Sequence, residues 1–191
     1  MTDRAWTVTT SRHVLQDRWI SVRADDCVTP AGVSVAPFYV MESPVLAHVL
    51  AFDTDDRAIL VRQYRHPLRI LSLELPGGIV DAEDADPVAA AERELREETG
   101  YTSGHLDHLA TLAPNPGRST SLIHLVLARR VMPGMATPEP SEDIEIVLVP
   151  RAELAALACS GAIVNAAHVG LIMVGLARMT ALEDSSLATL K

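Results

Sequence analysis

Residues 77–101, GGIVDAEDADPVAAAERELREETGY, fix the local fold more tightly than any other part of this chain. A glycine pair follows the apolar run of residues 70–76, an acidic loop comes next, and then a helix whose limits are written in its flanks. Asp86 suits the N-cap, where its carboxylate accepts the orphan amides of the first turn. Pro87 suits the first helical position, which needs no amide donor. Gly100 can end the helix in the left-handed conformation. The predicted helix therefore runs over residues 87–99.

At about 100° per residue, Val88, Ala91, Leu95 and Thr99 fall on one stripe, expected to be buried. Glu94, Glu97 and Glu98 share a neighbouring face at spacings of three and four. Like charges so placed repel by about 0.2–0.5 kcal/mol per pair. A divalent cation would remove that repulsion, and hard ions such as Mg²⁺ prefer carboxylate oxygens. Arg93, one turn before Glu97, can hold it in position. Taken alone, three glutamates fit an ordinary solvated helix face equally well.

The run Arg93-Glu94-Leu95-Arg96-Glu97-Glu98-Thr99-Gly100-Tyr101, preceded by Gly78, resembles the Nudix box, G-x5-E-x7-R-E-U-x-E-E-x-G-U with U apolar. The second half matches closely. The first half departs, with fourteen residues between Gly78 and Arg93 where the pattern has thirteen. No glutamate falls at the counted position; Asp84 follows Gly78 after five residues, with Glu83 before it.

Composition narrows the partners. The net charge is −9 with no basic run, which argues against non-specific nucleic-acid binding through phosphate neutralisation. Hydrophobic residues make up 48%, enough for a sizeable core. Cys27 and Cys159 fit no metal or redox spacing and read as free, buried thiols of a cytoplasmic protein. The first residues carry no apolar signal core. Residues 162–179 are apolar but interrupted by Asn165, His168 and Arg178, as in a packed helix rather than a membrane span.

In chain order, residues 6–43 read as short strands, with Trp6–Thr10, residues 19–24, 27–28, 33–35 and 38–41 the candidates and a turn at Pro30-Ala31-Gly32. Such a meander needs a partner surface. Residues 45–51 and 58–63 read as paired strands joined by the acidic turn 53–57. Residues 106–113 and 121–128 are further strands around a Pro/Gly-rich loop. Residues 132–141 read as a mobile loop of functional length, followed by a strand from Ile144 and two helices, from Pro150 and after Asn165.

Gln63-Tyr64-Arg65 and Glu74-Leu75-Pro76-Gly77-Gly78 resemble segments of the ADP-ribose pyrophosphatase branch of the Nudix family. Pro116 resembles a proline of that branch, whereas Ser121 stands where it usually has a glutamate. The resemblance implies an α/β/α sandwich with a mixed sheet (residues 44–191) and an N-terminal antiparallel β extension (residues 1–43) that dimerises. It implies Mg²⁺, with Mn²⁺ as a substitute, held by Glu94, Glu97, Glu98 and the carbonyl of Gly77. Glu98, Glu97, Arg93 and a loop glutamate, Glu142 with Glu139 as fallback, would serve catalysis. Arg65, Gln63, Arg118 and Glu139 would contact substrate. The implied reaction is hydrolysis of the pyrophosphate bond of ADP-ribose or a related nucleoside diphosphate sugar to a nucleoside monophosphate and a sugar phosphate. The alternatives are GDP-mannose or another nucleotide sugar, or a catalytically weak ligand-binding protein. The partner is a small molecule, with neither nucleic acid nor membrane involved, and the expected assembly is a homodimer.

Overall fold

The computed structural model describes residues 4–138, 140 and 142–189, with side chains to residue 182. The chain divides into two compact units: residues 1–45 with 113–122, and residues 46–112 with 123–191.

The second unit is a mixed sheet between helices. Its strands are β4 (Leu46–Asp53), β5 (Arg57–Arg65), β6 (Ile70–Glu74), β7 (Gly77–Ile79), β8 (Leu106–Leu112), β9 (Ile123–Val131) and β10 (Glu145–Pro150), and its helices are α1 (Pro87–Thr99), α2 (Arg151–Cys159) and α3 (Ala166–Thr189). The main order is β10-β5-β4-β9-β8, with β6 on β5 and β7 on β4. Only β4 and β9 run parallel; the other pairings are antiparallel.

Successive strand side chains point to opposite faces, and β4 uses both. Ala47, Val49 and Ala51 pack with Ala90, Ala91 and Leu95 of α1. Leu50 and Phe52 join the opposite core, which holds Leu154 and Ala158 of α2 and Leu171 and Ile172 of α3. Burial of both faces explains why β4 reads as a continuous apolar run. The result is the α/β/α sandwich expected from sequence.

Helix α1 has the expected limits. Asp86 Oδ1 accepts from the amides of Val88 and Ala89 at 2.8 and 2.9 Å, and Gly100 closes the helix at φ 75°. Two details of its wheel differ from expectation: Val88 is half-buried, and Glu98 is buried with the core stripe. Asn165 precedes helix α3, and its Oδ1 accepts from the Ala167 amide in the first turn. Among the described residues no helix is long and apolar enough to cross a membrane.

The first unit is an antiparallel meander, β1 (Thr7–Gln16), β2 (Ser21–Val28) and β3 (Ser34–Glu42), in that order. The strand expected over residues 6–10 thus continues to Gln16, because its pairing with β2 extends that far. Residues 113–122 belong here: the amide of Met41 donates to Arg118, and that of Thr120 to Met41. All ten residues of β1 are exposed. Both cysteines are free; Cys27 is buried, but Cys159, expected to be buried, is exposed at the end of α2.

Candidate active site

The cleft originates in a splayed strand pair. Strands β4 and β5 pair only at Ala51–Ile59 and Phe52–Ala58. Beyond that, β5 pairs with β6 from Val61 to Arg65, and β4 pairs with β7 from Leu46 to His48. Residues 75–77 occupy the fork, where the regular ladder cannot satisfy their backbone, and buried backbone groups need partners. Three different elements supply them. The Leu75 amide donates to His168 Nδ1 on α3, the Pro76 carbonyl accepts from the Val49 amide on β4, and the Gly77 amide donates to Glu98 Oε2 on α1, each at 2.9 Å. Gly77 has φ 144°, and a Cβ there would lie 2.2 Å from the Ala47 carbonyl oxygen and 2.7 Å from His48. Only glycine fits that approach. So the glycine pair between the apolar run and the acidic loop opens a short strand pressed against β4.

Helix α1 brings its carboxylates to this fork. Glu98 is 4% exposed. Burial pushes its pKa up to about 8, against the Gly77 amide that favours the charged form, and the charges of Glu94 and Glu142 push it the same way as burial. Burial also raises Glu94, with Arg93 opposing and Glu97 and Glu142 assisting. Arg93 donates to Glu94 at 2.9 Å and Glu97 at 3.1 Å, as its spacing suggested, and also to the Ile79 carbonyl. Its strongest partner is Asp84, which takes Nε and a terminal nitrogen at 3.1 and 3.0 Å and which Arg93 holds below the usual carboxylate range. The irregular first half of the box thus places Asp84, rather than a glutamate, on the arginine.

The cleft has a volume of about 700 Å³. Glu94, Glu97, Glu98, Gly77, Arg93, Arg65, Gln63 and Glu142 all line it, so the structure gathers eight of the ten site residues named from sequence. Arg118 does not line it; it belongs to the first unit, 5.0 Å over the Phe38 ring and donating to the Tyr39 carbonyl. Glu139 lies outside the described residues. Arg65 is not an uncommitted fork: its guanidinium holds buried Glu74 through two bonds of 3.0 and 2.6 Å. The segment read as a mobile loop is tied to neighbouring backbone, with Met132 paired to Thr102 and the Thr137 amide donating to the Glu97 carbonyl at 2.9 Å.

Sequence reasoning missed the floor of the cleft. His48 and His168 are 6% and 2% exposed, with ring centroids 4.5 Å apart. Burial lowers both pKa values, and the neighbouring His48 adds to the lowering of His168. Glu74 faces His168 Nε2 at 3.7 Å. Burial alone would raise Glu74; Arg65, Ser72 and His168 together outweigh it and hold Glu74 down. Two signals were available: a glutamate inside the apolar run 70–76 and a histidine inside the apolar run 162–179. His168 was read only as an interruption, and Glu74 only as part of the segment that leads into the box.

Several hard oxygen donors around one cleft, two of them pushed toward the neutral form by burial, suit a divalent metal ion, which would favour their ionised form. Among the described residues no three such side chains already stand together as a metal cluster; Arg93 holds Glu94 and Glu97.

The NUDIX domain model matches residues 43–164, and the model of the nucleoside diphosphate sugar hydrolase N-terminal domain matches residues 6–41. The chain belongs to the Nudix hydrolase family, whose members generally use a divalent metal. It is 31% identical over 170 residues to a CMP-5'-(N-acetyl-N-hydroxy-3-aminopropyl)phosphonate hydrolase of Streptomyces rubellomurinus, a match over 88% of this chain and 82% of that protein. It is 29% identical over 119 residues to an ADP-ribose pyrophosphatase of Bacillus subtilis, covering 62% of this chain and 63% of the relative's length. Among solved structures, an ADP compounds hydrolase superposes with a TM-score of 0.83 at 23% identity, over 93% of this chain and 95% of that one, which establishes the shared fold.

Proposed function

We propose that this cleft hydrolyses the pyrophosphate bond of ADP-ribose or a related nucleoside diphosphate sugar with Mg²⁺, releasing a nucleoside monophosphate and a sugar phosphate. The observation that carries the reading is Glu98: a carboxylate 4% exposed, tied to the Gly77 amide and pushed to about pKa 8 beside Glu94, Glu97 and Glu142. Carboxylates gathered this way against their own repulsion are poised for a cation. The names of the Bacillus subtilis relative and of the matched N-terminal domain support the substrate class.

Glu94, Glu97, Glu98 and the Gly77 carbonyl would hold the metal, which when bound neutralises phosphate oxygens and acidifies water. Arg93 sets the α1 carboxylates in place. Glu142, on the cleft wall, takes a proton from the attacking water as its oxygen bonds to phosphorus. The bond to the bridging oxygen breaks, and that oxygen leaves on the second phosphate. Arg65 and Gln63, which line the same cleft, orient the diphosphate. With substrate so held, positioning and electrostatics supply the acceleration.

The Streptomyces rubellomurinus relative favours a second reading of specificity, in which the nucleotide carries another base and a moiety other than ribose. GDP-mannose and other nucleotide sugars belong to the same comparison. The two unpaired cysteines fit a reducing, cytoplasmic setting.

A phosphatase-coupled phosphate-release screen tests the reading, using ADP-ribose, sugar nucleotides and nucleoside triphosphates with Mg²⁺. We expect diphosphate-linked substrates to be cleaved and Glu142→Gln to slow the best of them by about 10²–10⁴-fold. Hydrolysis of triphosphates alone, or a Glu142→Gln variant with unaltered kcat, would overturn it.

A further inference from the structure

The three bonds that hold residues 75–77 are not equivalent. Two come from elements that the metal-site reading already uses or from an adjoining strand: Glu98 on α1 and Val49 on β4. The third crosses the sheet to α3, whose first turn carries His168. An amide N–H can only donate, so Nδ1 of His168 must accept, and the imidazole is neutral with its proton on Nε2. That Nε2–H faces Glu74 Oε2 at 3.7 Å, and Glu74 is held by both arms of the Arg65 fork. The ring of His48 closes the other side, edge-on at 4.5 Å. His168 is thereby fixed in tautomer and in orientation, which a histidine serving only to fill the core does not need.

We propose that His168 is a positioning residue for the metal-binding face of α1. Its Nδ1 pins the Leu75 amide, and so the Leu75-Pro76-Gly77 backbone that gives the Gly77 amide to Glu98 and lines the cleft at Gly77. The tolerance there is small, because Gly77 already packs directly on Ala47 and His48. Released from His168, that backbone would keep only the core packing of the Leu75 side chain on its α3 side, which fixes its depth but not the direction of its amides. The proposal rests on the metal-site reading above and adds a residue from the opposite layer of the sandwich to it. Partners of this outer kind, when altered, cost metal sites about 10–100-fold in affinity.

The test compares His168→Asn, whose amide oxygen falls near the Nδ1 position, with His168→Gln, whose amide lies one methylene farther. Mn²⁺ binding is followed by electron paramagnetic resonance on the full chain without substrate, and protection of the Leu75 amide by hydrogen exchange. We expect His168→Asn to stay within about threefold of wild type with Leu75 protected, and His168→Gln to bind Mn²⁺ about 10–100-fold more weakly with Leu75 exposed. Equal affinities in the two folded variants, or loss of Leu75 protection in His168→Asn, overturns the proposal. If His168→Gln does not fold, the Asn variant alone decides: wild-type affinity and protection support it, and loss of either in a folded protein sinks it. Since no turnover is read, these outcomes stand whatever the substrate proves to be. A wild-type protein that binds no Mn²⁺ would refute the metal reading, and the amide-exchange arm would still report whether His168 holds Leu75.

Discussion

The first unit and the cleft face of α1 treat a carboxylate in opposite ways. In the first unit Asp25 is buried, accepts from Ser11 at 2.6 Å and is bridged by Arg23. Glu42 there accepts from Ser21, His13 and Arg23 at 2.7–2.8 Å, and these bonds hold its pKa down to about 2. In the second unit burial drives Glu98 up to about 8 and raises Glu94. One set of carboxylates has every partner it needs from the chain. The other is desolvated faster than it is partnered, and such groups mark functional sites rather than structural ones.

The largest expected effect follows from that contrast. Glu98→Gln keeps the shape and an acceptor for the Gly77 amide but removes the charge. It should lower kcat on the best substrate by about 10²-fold or more, since an electrostatic contact in the reacting complex is lost. Circular dichroism should show an intact fold. Glu42→Gln should do the reverse, lowering the melting temperature through its lost ionic bonds while Mn²⁺ affinity stays at wild type. A Glu98→Gln enzyme with normal kcat in Mg²⁺ would erase the distinction between the two sets.

The second test concerns what the first unit is for. Trp19 is 79% exposed, and Trp6, Val8, Val14, Leu15, Ile20 and Tyr39 are also exposed on this small meander. Apolar surface on that scale usually marks an interface. We expect a homodimer by light scattering after size exclusion, and a shift toward monomer, with weaker substrate binding, for Trp19→Glu combined with Val14→Glu. A wild-type species that remains at 20.6 kDa while active would dispose of the dimer and leave the meander without an assembly role.

What the sequence revealed of this contrast follows the range of the interactions. Helix α1 was legible to the residue, because Asp86, Pro87 and Gly100 act within one turn. The shared face of Glu94, Glu97 and Glu98 was legible from helical spacing, and the family pattern supplied the rest. The burial of Glu98 was not, since it depends on the fork between β4 and β5, and that fork exists only once β6 and β7 have paired elsewhere. The bond from Leu75 to His168 spans 93 residues, so neither partner announces the other. The membership of residues 113–122 in the first unit is likewise a non-local backbone pairing, through Met41 with Arg118 and Thr120. Asp84 lay in view but at an irregular spacing, and its role appeared only with the bonds to Arg93.

The smallest expected effect is a pH profile with two arms, read on the metal-free protein: Glu98 shapes the upper one, and Glu42 of the first unit shares the lower one with Glu74 of the second. Glu98 has a folded pKa of about 8 against an ordinary 4.5. Between those values the folded chain keeps a proton that the unfolded chain has released, so stability falls as pH rises through that window. Glu42 has a folded pKa of about 2 against 4.5. Its contribution is complete above 4.5 and is lost as pH falls toward 2. The melting temperature of metal-free protein should therefore peak near pH 5 rather than at neutrality. At about 1.4 kcal/mol per pKa unit, the upper arm is at most a few kcal/mol. Glu98→Gln should flatten the upper arm and leave the lower one, and Glu42→Gln should flatten part of the lower arm only. Mg²⁺ added at pH 8 should restore the wild type and not Glu98→Gln, because an ion that binds the charged folded state stabilises it by mass action. Calorimetry across pH 3–9 reads all of this at once. A metal-free wild type that gains stability from pH 5 to 8, or a Glu98→Gln variant with the same slope, would mean that the buried carboxylate is as well partnered as those of the first unit.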